Sequence, residues 1–203
     1  MDTKVVGKVF SSISREMTAN REYLISLDSQ NGDGDLGIYM DAGFKAVADY
    51  VNAPDETDLG RLFLKASKVL NEAAPSSLGT ILSFLLMGIA KTLKGKETAS
   101  IDDVIAALEA GMKLIMEKAG SKCGEKTILD SISPAIEALK ASTGTAKERF
   151  ALAAQAAADG SESTKQMRSV HGRAAYYGDK SIGVLDGGSV VGRLLFAAIA
   201  EAL

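Results

Sequence analysis

Residues 78–93 read LGTILSFLLMGIAKTL, the most apolar window in the chain and the one that decides what kind of fold it can have. A bilayer needs roughly 20 consecutive apolar residues to span it. This run is shorter and closes on Lys91 and Lys94, so a membrane helix is excluded. Its apolar residues circle the helix instead of forming one stripe, which predicts burial on most sides. A helix covered that way requires other helices around it.

The flanking sequence supplies them. Upstream, Leu59, Leu62, Phe63, Ala66, Val69 and Leu70 recur at helical spacing before Pro75. Further back, Val6, Phe10, Ile13, Met17, Leu24 and Leu27 predict a helix over about 4–27. A second runs over about 37–51 and ends at Asn52-Ala53-Pro54-Asp55. Downstream, Ser100 with Asp103 caps a helix whose stripe is Ile101, Val104, Ile105, Leu108, Met112, Ile115 and Met116. Gly120 to Lys126 reads as a turn. A sixth helix follows over about 125–140, with a kink expected at Pro134. Thr145 and Glu148 form a capping box for a seventh, and Val190, Val191, Leu194, Leu195, Ala198 and Ile199 mark an eighth. No stretch alternates as a strand would. The prediction is an all-α fold, eight antiparallel helices joined by short loops into a bundle or closed barrel, one domain over 1–203.

Composition agrees and narrows the function. The chain has 203 residues, 46% of them hydrophobic, with three prolines and no tryptophan. A net charge of −3 gives no basic footprint, so nucleic acid is not an expected partner. The single cysteine, Cys123, cannot form an internal disulfide, and Met1 to Arg15 lacks the apolar run of a signal peptide. A cytoplasmic protein is expected.

The chemistry is concentrated in Leu27-Asp28-Ser29-Gln30-Asn31-Gly32-Asp33-Gly34-Asp35-Leu36-Gly37, which places Asp28, Asp33 and Asp35 within eight residues. Two carboxylates about 5 Å apart repel by about 3 kcal/mol at an effective dielectric near 20. Three gathered together require a cation, and oxygen-only ligands favour Mg²⁺ or Ca²⁺. Other readings compete. An acidic glycine-rich loop is ordinarily a solvated turn. An EF-hand counted from Asn31 fails, with Leu36 at its sixth position and Ala42 at its twelfth. Gly32-x-Gly34-x-x-Gly37 matches the dinucleotide fingerprint, but a helix precedes it and Asp33 and Asp35 would repel a bare phosphate.

Three further loops break the helical pattern. Pro75-Ser76-Ser77-Leu78-Gly79-Thr80 precedes the buried helix, where free N–H groups and hydroxyls suit phosphate oxygens, although Ser76 equally suits a simple N-cap. In Cys123-Gly124-Glu125-Lys126-Thr127-Ile128-Leu129-Asp130 a lysine stands at a helix start, where the dipole disfavours it; an ordinary salt bridge is the plain explanation. The third, Gly172 to Gly183, leads into Asp186-Gly187-Gly188 and is long for a helical domain. Arg173 there offers a planar fork for phosphate. His171, the only histidine, reads as a solvated surface residue. There is no Walker A sequence, no histidine-rich zinc set and no Ser-His-Asp set.

Taken in order, "LDSQNGDGDLG", "GEKTILDSISPAIEAL" and "GRAAYYGDKSIGVLDGG" resemble the nucleotide-binding subunit of dihydroxyacetone kinase, the ADP-binding L subunit of the phosphotransferase-dependent enzyme, over essentially the whole chain. The resemblance implies an eight-helix antiparallel barrel with ADP or ATP at one end and two Mg²⁺ held by Asp28, Asp33 and Asp35. It places phosphate contacts at Ser77, Leu78 and Gly79, flanked by Ser76 and Thr80, an arginine near the phosphates at Arg173, and a closing loop at Asp186, Gly187 and Gly188. Ile128 takes a position beside the base that is often Met; Leu36, Gly37, Tyr39 and Gly120 complete the implied nucleotide site. The chain departs from the family pattern at Leu36, usually His, at Tyr39, often Asn, and at Leu78, usually Ser. Asp-Lys-Thr appears as Glu125-Lys126-Thr127, and Asp-Pro-Gly as Asp186-Gly187-Gly188.

The function so implied is phosphoryl transfer through bound nucleotide, with Arg173 as the catalytic cation. The phosphate passes from a phosphohistidine donor protein of the phosphotransferase system to a short ketose on a separate sugar-binding subunit. Association with a second copy stays open. Two other readings remain beside it. One is a degenerate nucleotide-binding paralogue acting as a regulatory or partner-binding module. The other is an ATP-dependent kinase subunit for another ketose such as erythrulose.

Overall fold

The computed structural model describes residues 1–53 and 56–203. Pro54 and Asp55, part of the expected end of the second helix, lie outside the described residues. Nine α-helices are described: α1 (Thr3–Ala19), α2 (Arg21–Asp28), α3 (Leu36–Asn52), α4 (Leu59–Ala73), α5 (Ser77–Thr92), α6 (Ile101–Ala119), α7 (Leu129–Ala141), α8 (Ala146–Ser163) and α9 (Gly187–Ala202). Among the described residues there is no strand, and no helix is long and apolar enough to cross a membrane.

The ninth helix comes from a break in the first. Asn20 leaves helical geometry at φ −100°, ψ 8°, and its side chain donates back to the Glu16 carbonyl. The predicted rod over 4–27 is therefore α1 plus α2. Beyond α1, neighbours in sequence are neighbours in space: α3 packs on α4, α4 on α5, and so on to α9, and α9 packs on α1. The ring closes. With short connections, successive helices run antiparallel, so the α2–α3, α4–α5, α6–α7 and α8–α9 connections gather at one end.

α5 sits as its sequence requires. It packs on both α4 and α6, with Leu82, Leu85, Leu86, Ile89 and Ala90 buried. The α5–α6 crossing is set by two facing glycines: a Cβ on Gly88 would lie 2.4 Å from the Gly111 Cα. The expected capping boxes are present at Ser100–Asp103 and Thr145–Glu148. Pro134 does not end α7. The Asp130 carbonyl that loses its amide partner faces α8 at Gly160, where a Cβ would come within 2.2 Å. The sixth predicted helix begins later than expected, at Leu129, because residues 124–127 fold around the Asp130 carboxylate, which accepts from the Gly124 and Thr127 amides.

The ring encloses an apolar cavity of about 350 Å³, lined by side chains that include Phe10, Phe44, Leu86, Phe150 and Phe196. Met1, Ala99, Ala146 and Leu203 also line it. It therefore reaches the end of the ring opposite the acidic loop. Gly88→Val forces a branched side chain into the α5–α6 crossing and is expected to lose about 1–3 kcal/mol of stability, measured as a lowered urea midpoint with unchanged helix content by circular dichroism.

Candidate functional site

The acidic loop is a tight connection between α2, which ends at Asp28, and α3, which begins at Leu36. Two glycines make it feasible. A Cβ on Gly32 would sit 2.2 Å from Asp28 Oδ1, and Gly34 takes φ +77°, a region that side chains disfavour. The loop wraps around Asp28, whose Oδ2 accepts from the amides of Gly34 at 2.8 Å and Asp35 at 3.1 Å. Asp35 precedes α3 without using its carboxylate as a cap, which leaves that group available. The result is that one carboxylate oxygen from each of Asp28, Asp33 and Asp35 lies within 4.8 Å of the others.

Such crowding has the expected electrostatic signature. Burial, then the charges of Asp33 and Asp28, push the Asp35 carboxyl above its usual range, and Arg173 opposes them. The Arg173 guanidinium reaches across from the α8–α9 connection and bonds Asp33 at 2.8 Å. The four residues singled out for metal and phosphate are thus brought together.

The start of α9 forms the adjoining wall. Asp186 caps the helix, accepting from the Ser189 amide through Oδ2 at 2.6 Å. Burial pushes its carboxyl up to about 7, against the pull of that amide and of Lys126 and with the push of Asp130. A Cβ on Gly187 would lie 2.7 Å from Leu36 Cδ2, and one on Gly188 would lie 3.3 Å from the Ile128 amide. Leu36, Ile128, Gly187 and Gly188 therefore make one close apolar shelf. Leu36 is buried.

Other expected site residues have structural duties. Gly37 faces α2, where a Cβ would lie 2.1 Å from the Arg21 carbonyl. Tyr39 packs partly buried against the core. At α5, the Ser76 hydroxyl accepts from Gly79 N and its carbonyl from Thr80 N, while Thr80 donates its hydroxyl proton to Asn71. Ser76 is thus the N-cap, and the donors left at the helix start are the amides of Ser77 and Leu78. Gly120 ends α6 in the left-handed conformation, φ +66°. Among the described residues, no hydrogen bond joins Gly120 or the α5 start to the aspartates; they share that end of the ring.

Sequence reasoning undervalued four groups. Lys126 makes no salt bridge among the described residues; it is buried and donates to the carbonyls of Met167, Ser181 and Val184. Burial lowers its pKa. His171 is not simply solvated, since its Nε2 lies 2.6 Å from Glu125 Oε2, and that contact leads the causes holding Glu125 below the usual carboxyl range. Asp130 organises the 124–127 turn. A buried hydroxyl cluster of Ser161, Thr164 and Ser189 fixes Asp186, with Thr164 Oγ1 accepting the Asp186 amide at 3.1 Å. The lysine at an unfavourable helix position was the one available signal; the hydroxyls carried none.

Oxygen-only donors, mutual crowding and a guanidinium already drawn to Asp33 fit a site for hard divalent cations. The fold and site define an all-helical closed barrel with a cluster of carboxylates at one end. The family model described as the DAK2 domain matches residues 30–201, and the chain belongs to that family. Among relatives, the ADP-binding subunit DhaL of PEP-dependent dihydroxyacetone kinase 2 from Listeria innocua is 28% identical, covering 100% of this chain and 96% of its own length. The corresponding Escherichia coli subunit is 25% identical over 90% of this chain and 85% of its own. Rat triokinase/FMN cyclase is 28% identical over 99% of this chain, which spans only 35% of that protein. The fold matches the crystal structure of the C. freundii dihydroxyacetone kinase with AMP-PNP and Mg²⁺ at a TM-score of 0.79 and 22% identity, over 98% of this chain and 34% of that one.

Because Arg173 and a cation compete for Asp33, Arg173→Ala is expected to tighten Mg²⁺ alone, by about 0.5–1.5 kcal/mol for one exposed charged contact, read by calorimetry without nucleotide. Asp186, with a folded-state pKa raised to about 7, contributes stability that is full below the ordinary carboxyl range and is lost as pH rises through about 7. Asp186→Asn, which keeps a capping oxygen, is expected to flatten the fall in melting temperature between pH 5 and pH 8 relative to the wild type.

Proposed function

We propose that the chain is the nucleotide-binding subunit of a dihydroxyacetone kinase, a phosphotransferase acting with a separate sugar-binding subunit in the cytoplasm. The observation that carries this reading is the trio of carboxylates gathered within 4.8 Å beside an arginine, in a chain of the DAK2 family that spans nearly the full length of a DhaL subunit.

Each residue has a task in that reading. Asp28, Asp33 and Asp35 would hold two Mg²⁺, which when bound neutralise charge on the nucleotide phosphates and on the phosphoryl group in flight. Arg173 gives up Asp33 and turns its fork to the phosphates, a permanently charged donor suited to them. The amides of Ser77 and Leu78 offer neutral donors at a helix start. Gly187 and Gly188, partly exposed and backed by the buried Leu36 and Ile128, leave room without side chains of their own for a base to approach. No general base is required of this chain, since such chemistry rests on positioning and electrostatics. In this reading the phosphoryl donor is a phosphohistidine protein and the acceptor a short ketose on the partner subunit; the relatives' names say that those kinases depend on PEP.

Calorimetry of the purified protein with Mg²⁺ and ADP is expected to give saturable binding that EDTA abolishes. Asp33→Ala removes one of three metal carboxylates and is expected to bring the affinity below detection with the melting temperature retained. Binding that persists without Mg²⁺, or in Asp33→Ala, rules the reading out. Dihydroxyacetone phosphate formed on mixing with a sugar-binding subunit and donor separates transfer from a purely regulatory role.

A further inference from the structure

Arg173 has little of its own to hold it in place. Its side chain is 67% exposed, and it stands in an irregular segment of 3₁₀ turns, Arg173–Ser181, broken at Gly178. Within residues 168–183 the buried side chains are Ser169 and Ser181, both polar. Between its ends the loop buries no apolar side chain, and only at the return do Val184 and Leu185 pack partly buried against the core, so a long flexible side chain would lose its bond to Asp33 to conformational entropy. Something must hold the loop by its ends.

Those ends meet at Lys126. Its ammonium donates to Met167 O at 3.2 Å on the outgoing strand of chain, and to Ser181 O and Val184 O, both at 2.6 Å, on the return. All three of its protons are used, on neutral acceptors. Two further bonds lie beside it: the Ser169 amide donates to the Ser181 hydroxyl at 2.9 Å, and the Gly183 amide to the Lys165 carbonyl at 2.7 Å. The fold tolerates two costs at this residue. Among the described residues the buried ammonium has no carboxylate within salt-bridge distance, Asp186 acting on it only from further off, and Lys126 is the one non-glycine residue there at positive φ, +61°. Unfavourable backbone and unfavourable burial at one position point to a function.

We propose that Lys126 is a positioning residue: it draws together the neck of the 167–184 loop and thereby sets Arg173 against the aspartate trio. Ammonium suits the task because it is compact and carries three donors on a flexible stem. Lys126 touches neither the aspartates nor Arg173 and acts only through the loop. It follows Glu125, which bonds His171 two residues before Arg173, so one short turn grips the loop twice.

The inference rests on the nucleotide reading above, and the test separates the two. Trypsin reads the neck without ligand, at Arg168, Arg173 and Lys180. Lys126→Met is expected to speed cutting there about tenfold through easier local opening, with other sites unchanged. Calorimetry with Mg²⁺ and ADP reads the consequence. Lys126→Met is expected to weaken binding about tenfold, the size of one charge-assisted hydrogen bond. In an Arg173→Ala background the same substitution is expected to cost no more than about twofold, because the contact it positions is already gone. Ser181→Ala, which removes a neck bond without touching the buried charge, gives the same pattern at smaller size and carries the test if Lys126→Met does not fold. Unchanged cleavage in the folded variant overturns the proposal, as does a full loss of affinity in the Arg173→Ala background. A wild-type protein that binds no Mg·ADP overturns the nucleotide reading instead, and the cleavage arm still decides the neck.

Discussion

Mutual repulsion among Asp28, Asp33 and Asp35 is the constraint around which this end of the molecule is built. Three carboxylates with oxygens inside 4.8 Å do not gather spontaneously, and the chain holds them by rigid means. Two helix ends fix Asp28 and Asp35, glycines permit the turn between them, and the Gly34 and Asp35 amides bind Asp28 from inside the loop. Among the described residues, Arg173 supplies the one opposite charge in contact with them. The carboxylates are thus held in place by backbone and helix ends, the fixed arrangement of charge that spares an electrostatic site reorganisation.

The closed ring makes that preparation possible. A loop with few apolar residues cannot fix carboxylates by its own packing, whereas helices whose far faces are buried can. α3 carries Asp35 at its start and Met40, Phe44 and Val47 in the core; α9 carries Asp186 at its start and Val190, Val191 and Leu194 in the same core. The functional groups are therefore the ends of rods whose positions the hydrophobic interior decides. Glycines at the crossings, Gly88 against Gly111 and Gly187 against Leu36, bring those rods close enough for the loops to meet.

The α8–α9 connection is held differently. Polar bonds from Lys126 gather its neck beside the partly buried Val184 and Leu185, and from 168 to 183 it buries only Ser169 and Ser181. Asp130 and Lys126 act on Asp186 in opposite senses at the base of that connection, the carboxylate raising its pKa and the ammonium lowering it.

Much of this was legible in the sequence, for local reasons. Helical periodicity, the capping boxes at Ser100 and Thr145, and the all-round apolar character of residues 78–93 depend on neighbours a turn or two away, so the all-α ring could be read directly. The acidic trio was legible because its members lie within eight residues. Other features were settled by tertiary structure alone. Asn20 broke the first rod where the apolar stripe continued, and Asp130 captured the residues that periodicity had given to the sixth helix. Ser76 and Thr80 spent their hydroxyls on their own turn. Lys126 and His171 found partners 41 to 58 and 46 residues away. Pattern within a chain reports which face of a helix is apolar; which distant carbonyl a buried ammonium meets depends on how the rods are stacked, and only the folded ring contains that information.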